Sequence, residues 1–322
     1  MQCPECSAPL SRQARFCDQC GMRLAEHPGF LHQKALDCYH RGLGEEALRN
    51  WDRALQVAPD FSKGHYYRGL VLYDRGELLQ SVRAFRRALA EQADSFRVHF
   101  KLGMALYGLG DLDGSLKSFT RALELNPESA ETCYRIGLSQ LRSGRFDEAR
   151  AALQQAVRLN PDFVRALYMI GMTAVQQGDL DAAAESFRRV VEINPDYTGA
   201  RFELGMALFK NGAIKEAAEE FDRAVAQNRN FAPGYFMLGE CRRRVGQLNE
   251  AVAAYGEVLR INPKDAETLF KQAECYNELK RCQEARTVLL ELLRMVPGHQ
   301  GAARLLEETG RRNDIAPDKK KD

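Results

Sequence analysis

Residues 164–197 run VRALYMIGMTAVQQGDLDAAAESFRRVVEINPDY, and most features of this stretch recur 34 residues earlier and 34 residues later. Gly171 stands at its eighth place, Gly178 at the fifteenth, Ala183 at the twentieth, Phe187 at the twenty-fourth and Pro195 at the thirty-second. Pro59, Pro127, Pro161, Pro263 and Pro297 keep the same interval, with Ala93 and Arg229 at the two remaining marks. Counting outward gives eight units without insertion: 28–61, 62–95, 96–129, 130–163, 164–197, 198–231, 232–265 and 266–299. A fixed period of this length is the mark of a repeat architecture.

The eighth place is Gly69, Gly103, Gly137, Gly171, Gly205 and Gly239, with Ala35 and Ala273 in the outer units. The fifteenth is glycine from Gly42 to Gly246 and Lys280 in the last unit. The twenty-fourth is large throughout: Trp51, Phe85, Phe119, Leu153, Phe187, Phe221, Tyr255 and Leu289. Small residues at the eighth and twentieth places let two helices approach closely. Glycine at the fifteenth suits a left-handed helix end. Asp111 and Asp179 follow such glycines and fit N-capping. Proline at the thirty-second place stops the second helix, because it has no N–H to donate. The unit is therefore a helical hairpin, and its large twenty-fourth residue fills the space between neighbours.

On these residues the chain resembles the tetratricopeptide-repeat family over 28–299. The resemblance implies an all-α fold, a right-handed α-solenoid of eight helical hairpins whose first helices line a concave wall. Residues 300–310 are expected to form a short helix capping the open end, because solenoids need capped ends. Residues 311–322 are expected to be a charged, frayed tail.

Ahead of the repeats stand two CxxC pairs, Cys3/Cys6 and Cys17/Cys20, ten residues apart. Four thiolates can complete a tetrahedron about one ion. The stretch 1–24 resembles a zinc ribbon and is expected to form a minimal β-hairpin holding structural Zn2+, with 25–27 as a short linker. Iron in a rubredoxin-like site shares the ligand set. So short a segment cannot bury an adequate core without a metal. A four-thiolate site is closed to substrate, and no nucleophile motif or phosphate-cradling loop occurs elsewhere, so no enzymatic activity is expected.

The family resemblance places the fifth, ninth and twelfth residues of each unit on the concave wall. In units two to six these include Tyr66, Leu70 and Tyr73; Phe100, Met104 and Tyr107; Tyr134 and Leu138; Tyr168 and Met172; and Phe202, Met206 and Phe209. Aromatics at the fifth and twelfth places also pack on neighbours in such repeats. Leu or Met at six successive ninth places is the more telling sign of an apolar groove, and an exposed apolar patch marks a binding surface. Lys63, Arg97, Lys101, Arg135 and Arg165 frame it and favour a ligand with acidic residues beside its apolar anchors. Beyond Phe209 the row turns charged, with Glu240, Arg243, Arg244 and Glu274. The Lys and Asn pair of the family's carboxylate clamp for chaperone tails is absent from every unit.

Lys+Arg 46 against Asp+Glu 44 leaves a net charge of +2, which argues against a dedicated nucleic-acid binder. No apolar run approaches the roughly 20 residues of a membrane span, and no membrane insertion is expected. Without a signal sequence at the start, the nine cysteines read as reduced thiols or metal ligands of a cytoplasmic protein. The expected function is a protein-interaction scaffold whose groove holds an amphipathic or extended partner segment, with the zinc module docking a second partner or capping the repeats. One competing expectation is a regulatory subunit of an enzyme or protease complex. Repeats combined with a rubredoxin-type metal module resemble the lipopolysaccharide assembly protein B family, in the reverse order. The other is nucleic-acid binding through the ribbon. Oligomeric state is left open by the sequence.

Overall fold

A computed structural model describes residues 2, 3, 5–11, 14–24 and 27–315. The chain divides into two compact units, Met1–Ala166 and Leu167–Asp322. The first holds α1 (Pro28–His40), α2 (Gly44–Val57), α3 (Ser62–Asp74), α4 (Leu78–Glu91), α5 (Phe96–Leu109), α6 (Leu112–Leu125), α7 (Ala130–Arg142), α8 (Phe146–Leu159) and the start of α9 (Val164–Gln177). The second holds the rest of α9, then α10 (Leu180–Ile193), α11 (Thr198–Lys210), α12 (Ile214–Gln227), α13 (Ala232–Arg244), α14 (Leu248–Ile261), α15 (Ala266–Glu278), α16 (Cys282–Met295) and α17 (Gln300–Ile315). Helices pair in order as antiparallel hairpins, and each hairpin packs on the next within its unit. All regular structure among the described residues is helical.

In the six inner units the hairpin closes because its eighth place has no side chain. A Cβ on Gly69 would lie 2.6 Å from the Phe85 ring, and one on Gly205 would lie 2.7 Å from Phe221. The ring occupies the space over the glycine and is sealed: Phe85, Phe119, Phe187 and Phe221 are fully buried. The same ring reaches the next hairpin, as where Phe85 clusters with Val98 and Leu102. Burying each such side chain is worth roughly 1.5–3 kcal/mol.

Turns repeat as strictly as helices. Gly110 ends α5 at φ 81°, and Asp111 then accepts from the Gly114 N–H to start α6. Lys280 takes the same left-handed conformation at φ 60° without glycine's freedom, at a cost of about 1–2 kcal/mol. In three units the fourth place ties the hairpin to the loop before it. His65 and His99 meet the carbonyls of Pro59 and Ala93 at 2.7 Å, and Arg201 donates to that of Pro195 at 2.8 Å. A carbonyl only accepts, so each imidazole carries its proton on Nε2. These histidines are packing elements.

Two expectations need correction. The small β-hairpin is reduced to two isolated antiparallel bridges, Gln2 with Pro9 and Phe16 with Arg23. Each bridge closes one cysteine turn rather than pairing the two turns with each other. The terminal helix also continues past residue 310 to Ile315. Its inner side, with Ala302 and Leu306, joins the cluster of Leu269, Leu289 and Leu292 at the end of the second unit. Residues 25 and 26 of the expected linker, and 316–322 of the expected tail, lie outside the described residues.

Candidate functional site

The cysteine turns are near copies of each other. The Cys3 N–H donates to the Ala8 carbonyl at 2.8 Å and the Ser7 N–H to the Cys3 carbonyl at 2.9 Å. In the second turn Cys17 donates to Met22 at 2.9 Å and Gly21 to Cys17 at 2.8 Å. The residue after each pair is left-handed, Ser7 at φ 59° and Gly21 at φ 71°. Cys3 and Cys17 are buried, while Cys6 and Cys20 are exposed.

These turns bring all four sulfurs within 4.8 Å of one another. Cys3 Sγ lies 3.6 Å from Cys20 Sγ, and Cys6 Sγ lies 3.5 Å from Cys17 Sγ. A tetrahedral ion with sulfur ligands at about 2.3 Å would set them about 3.8 Å apart. The donor set fits a thiophilic tetrahedral ion. Backbone N–H groups, that of Cys20 foremost, hold the Cys17 thiol down at about 6, while burial and the neighbouring sulfurs push Cys6 and Cys20 up, so the first thiolate of the cluster forms on Cys17. The turns rest on α1: Cys3, Cys17 and Leu24 share a cluster with Phe30, and the Gln2 N–H donates to Gln33 Oε1 at 3.3 Å.

The fifth, ninth and twelfth places lie four and three residues apart, so they share one face of each odd-numbered helix. In the first unit Tyr66, Leu70, Tyr73, Phe100, Met104, Tyr107 and Leu138 are half-buried. In the second, Tyr168, Met172, Phe202, Met206 and Phe209 are half-buried as well. Tyr134 departs from the expected open stripe, at only 7% exposed. Phe163 packs on its ring at 5.1 Å, and Arg165 lies 5.2 Å over it.

The fifth-place rings serve two masters. Phe100 leans on Phe119 at 5.6 Å, Tyr168 on Phe187 at 5.5 Å and Phe202 on Phe221 at 5.5 Å. Each ring also meets a second aromatic: Phe96 stacks on Phe100 at 6.0 Å, Tyr197 on Tyr168 at 5.5 Å, and Phe231 meets Phe202 at 5.2 Å, leaving the three rings half-buried. Twelfth-place rings are roofed by cations from the next hairpin: Lys101 lies 5.9 Å over Tyr73, Arg142 5.1 Å over Tyr107 and Arg244 4.1 Å over Phe209. Ring-covering cations of this kind are worth about 0.5–1 kcal/mol each. The Leu and Met of the ninth place remain as the open apolar element between these rings.

In α13 the same places hold a polar network. Tyr255 donates to Glu240 at 2.6 Å, and Arg243 donates to it at 3.3 Å. Burial pushes the Glu240 carboxyl up, but these two donors outweigh it and leave it below its ordinary value. Sequence inspection named Glu240 and Arg243 without connecting them to Tyr255. The signal was present: only the seventh unit has a hydroxyl at the twenty-fourth place and an acid at the ninth. Cys38, Cys133, Cys241 and Cys275 are buried inside the repeats and Cys282 is half-buried. Burial pushes Cys241 and Cys275 up to about 12.

Family profiles described as tetratricopeptide repeat match residues 33–95, 96–129, 134–198, 168–233 and 243–309. The chain belongs to the tetratricopeptide-repeat family. No curated protein matches the sequence. Among solved structures, the C-terminal part of a repeat-containing protein from Cytophaga hutchinsonii superimposes with a TM-score of 0.66 at 16% identity, over 75% of this chain and 99% of that one. YrrB, described as a TPR protein with an unusual peptide-binding site, gives 0.52 at 24% identity, over 58% of this chain and 97% of its own. MamA from Desulfovibrio magneticus gives 0.51 at 23% identity, over 53% and 96%. At these identities the likeness is one of fold. No helix among the described residues is long and apolar enough to cross a membrane.

Proposed function

We propose that this protein is a non-catalytic interaction scaffold that holds a partner polypeptide against the first-helix face of its repeats. The observation that carries this reading is the ninth-place row. Leu70, Met104 and Leu138 in the first unit, and Met172 and Met206 in the second, stay half-exposed, although Leu70, Met172 and Met206 also pack against the core clusters beneath them. Flexible thioether side chains suit a surface that adapts to a partner. The peptide-binding site named for YrrB is in keeping with it.

The metal module is proposed to be a structural zinc cap, held by Cys3, Cys6, Cys17 and Cys20. Zinc would supply cross-links to a segment too small to fold alone, and it opens no position for chemistry. Leu24 and Phe30 are sealed beneath the turns, so the module covers the apolar end of the first hairpin. That favours capping over docking of a second partner.

Affinity capture with the zinc-loaded parent and with a Met104→Gln/Leu138→Gln variant tests the scaffold reading. The expected result is a partner retained by the parent and lost by the variant, with the melting temperature little changed. Equal retention would overturn it. For the cap, chelation or Cys17→Ser should release about one zinc per chain and unprotect residues 1–24 and α1 to amide exchange. Helical circular dichroism should stay nearly intact, because each hairpin leans only on its neighbours.

A further inference from the structure

The cations that frame the first-helix face are not equivalent. Arg135 and Arg165 both bind Glu131, each at 2.8 Å. Lys101 lies over Tyr73, and Arg142 lies over Tyr107 while donating to its carbonyl at 2.9 Å. Lys63 and Arg97 are exposed, and neither forms an ion pair among the described residues. Both line one cavity of about 370 Å³ in the first unit, together with His32, Tyr66, Tyr67 and Ser95. No carboxylate lines it.

The cavity floor is built from rings held in place. Tyr67 stacks on Trp51 at 5.7 Å, and Tyr66 meets Tyr67 edge-on at 5.0 Å. Trp51 Nε1 donates to His32 Nδ1 at 2.9 Å, so the imidazole keeps its proton on Nε2. Burial, aided by the charge of Lys63, lowers His32 to about 4. The ring is therefore neutral near pH 7, and the positive charge of the cavity belongs to Lys63 and Arg97.

We infer that this cavity, lying between α1, α3 and α5, receives an acidic side chain of the partner polypeptide, with Lys63 and Arg97 neutralising its carboxylate while Tyr66 packs against the residue beside it. The inference rests on the scaffold reading and names the chemistry of its partner. An anion gains here what it could not gain at Arg135 or Arg165, whose charge Glu131 already satisfies. A guanidinium and an ammonium lining one cavity, with no carboxylate in it to compete, hold a carboxylate more strongly than either cation alone. An acidic residue flanked by apolar ones fits both this cavity and the neighbouring ninth-place row.

The test uses two libraries of short fluorescent peptides rich in Leu and Phe, one carrying Glu and the other Gln at the same places, titrated with the full zinc-loaded chain. The parent should bind the Glu library about tenfold more tightly at low salt, a preference that shrinks as salt rises. Lys63→Gln/Arg97→Gln should erase the preference and leave binding of the Gln library unchanged. The charge-keeping variant Lys63→Arg/Arg97→Lys should retain it, which separates lost charge from lost folding. Equal affinity of the parent for both libraries, or a preference that survives Lys63→Gln/Arg97→Gln, would overturn the inference while leaving the scaffold reading in place. Binding of neither library would overturn both. Competition by inorganic phosphate or a short oligonucleotide that outmatches the Glu library would assign the cavity to another anion and also overturn it.

Discussion

The hairpins α11–α12 and α13–α14 have the same frame and opposite inner faces. In the first, Phe202 leans on Phe221, and Met206 and Phe209 continue an apolar row. In the second, Phe236 leans on Tyr255 at 5.9 Å, but Glu240 and Arg243 take the next two places. The space over the glycine is equally tight in both: a Cβ would lie 2.7 Å from Phe221 on Gly205, and 2.6 Å from Tyr255 on Gly239. The frame is thus set by the eighth and twenty-fourth places, and the chemistry of the face is free to vary at the ninth and twelfth. The Tyr255 hydroxyl links the two, because a core ring there supports Glu240 on the first-helix face.

The largest expected effect attacks the frame. Phe221→Ala should cost about 3–5 kcal/mol through lost burial and the cavity left behind. In urea unfolding followed by amide exchange, the loss should concentrate in α11, α12 and their neighbours, as nearest-neighbour coupling requires. A uniform loss along the chain would contradict the modular picture.

Tyr255→Phe is the sharper probe, since it keeps the ring and removes only the link. Leaving Glu240 short of one donor should cost about 1–3 kcal/mol. The reverse change, Phe221→Tyr, should bring no matching gain, because Met206 offers no acceptor of equal strength. The pH response follows from the depressed Glu240 carboxyl. Its contribution is fully present above the ordinary carboxylate range and is lost as pH falls through the lower folded value. In Tyr255→Phe the folded value moves back toward the ordinary one, so this loss should be smaller and complete at a higher pH, measurable as a shallower acid limb in the stability profile of this region.

Most of the frame was legible because backbone geometry and close approach tolerate few residue types. Glycine at the fifteenth place meant a positive φ, and glycine at the eighth meant a ring against the backbone. The site was less legible, because exposure depends on what the next unit lays across it. Tyr134 looked like its neighbours in the stripe, yet Phe163 and Arg165 close over it. Arg135 and Arg165 looked like free cations, yet both turn to Glu131. The grouping of the four cysteines was readable from CxxC spacing, whereas the lack of hairpin pairing was not, since each turn closes on itself.

The smallest expected effect tests the one flawed turn. Lys280→Gly should stabilise α15 and α16 by about 1 kcal/mol, because glycine occupies the left-handed region without strain. No gain in their thermal or urea resistance would show that neighbours already compensate for the strain at φ 60°.

Fluorescence anisotropy of the Gln peptide library on the parent and on Met104→Gln/Leu138→Gln tests the central claim most directly. The account predicts saturable binding to the parent and at least about a tenfold loss in the variant at matched thermal stability. Equal binding by both proteins would show that the open Leu and Met row is ordinary surface rather than the place where a partner sits.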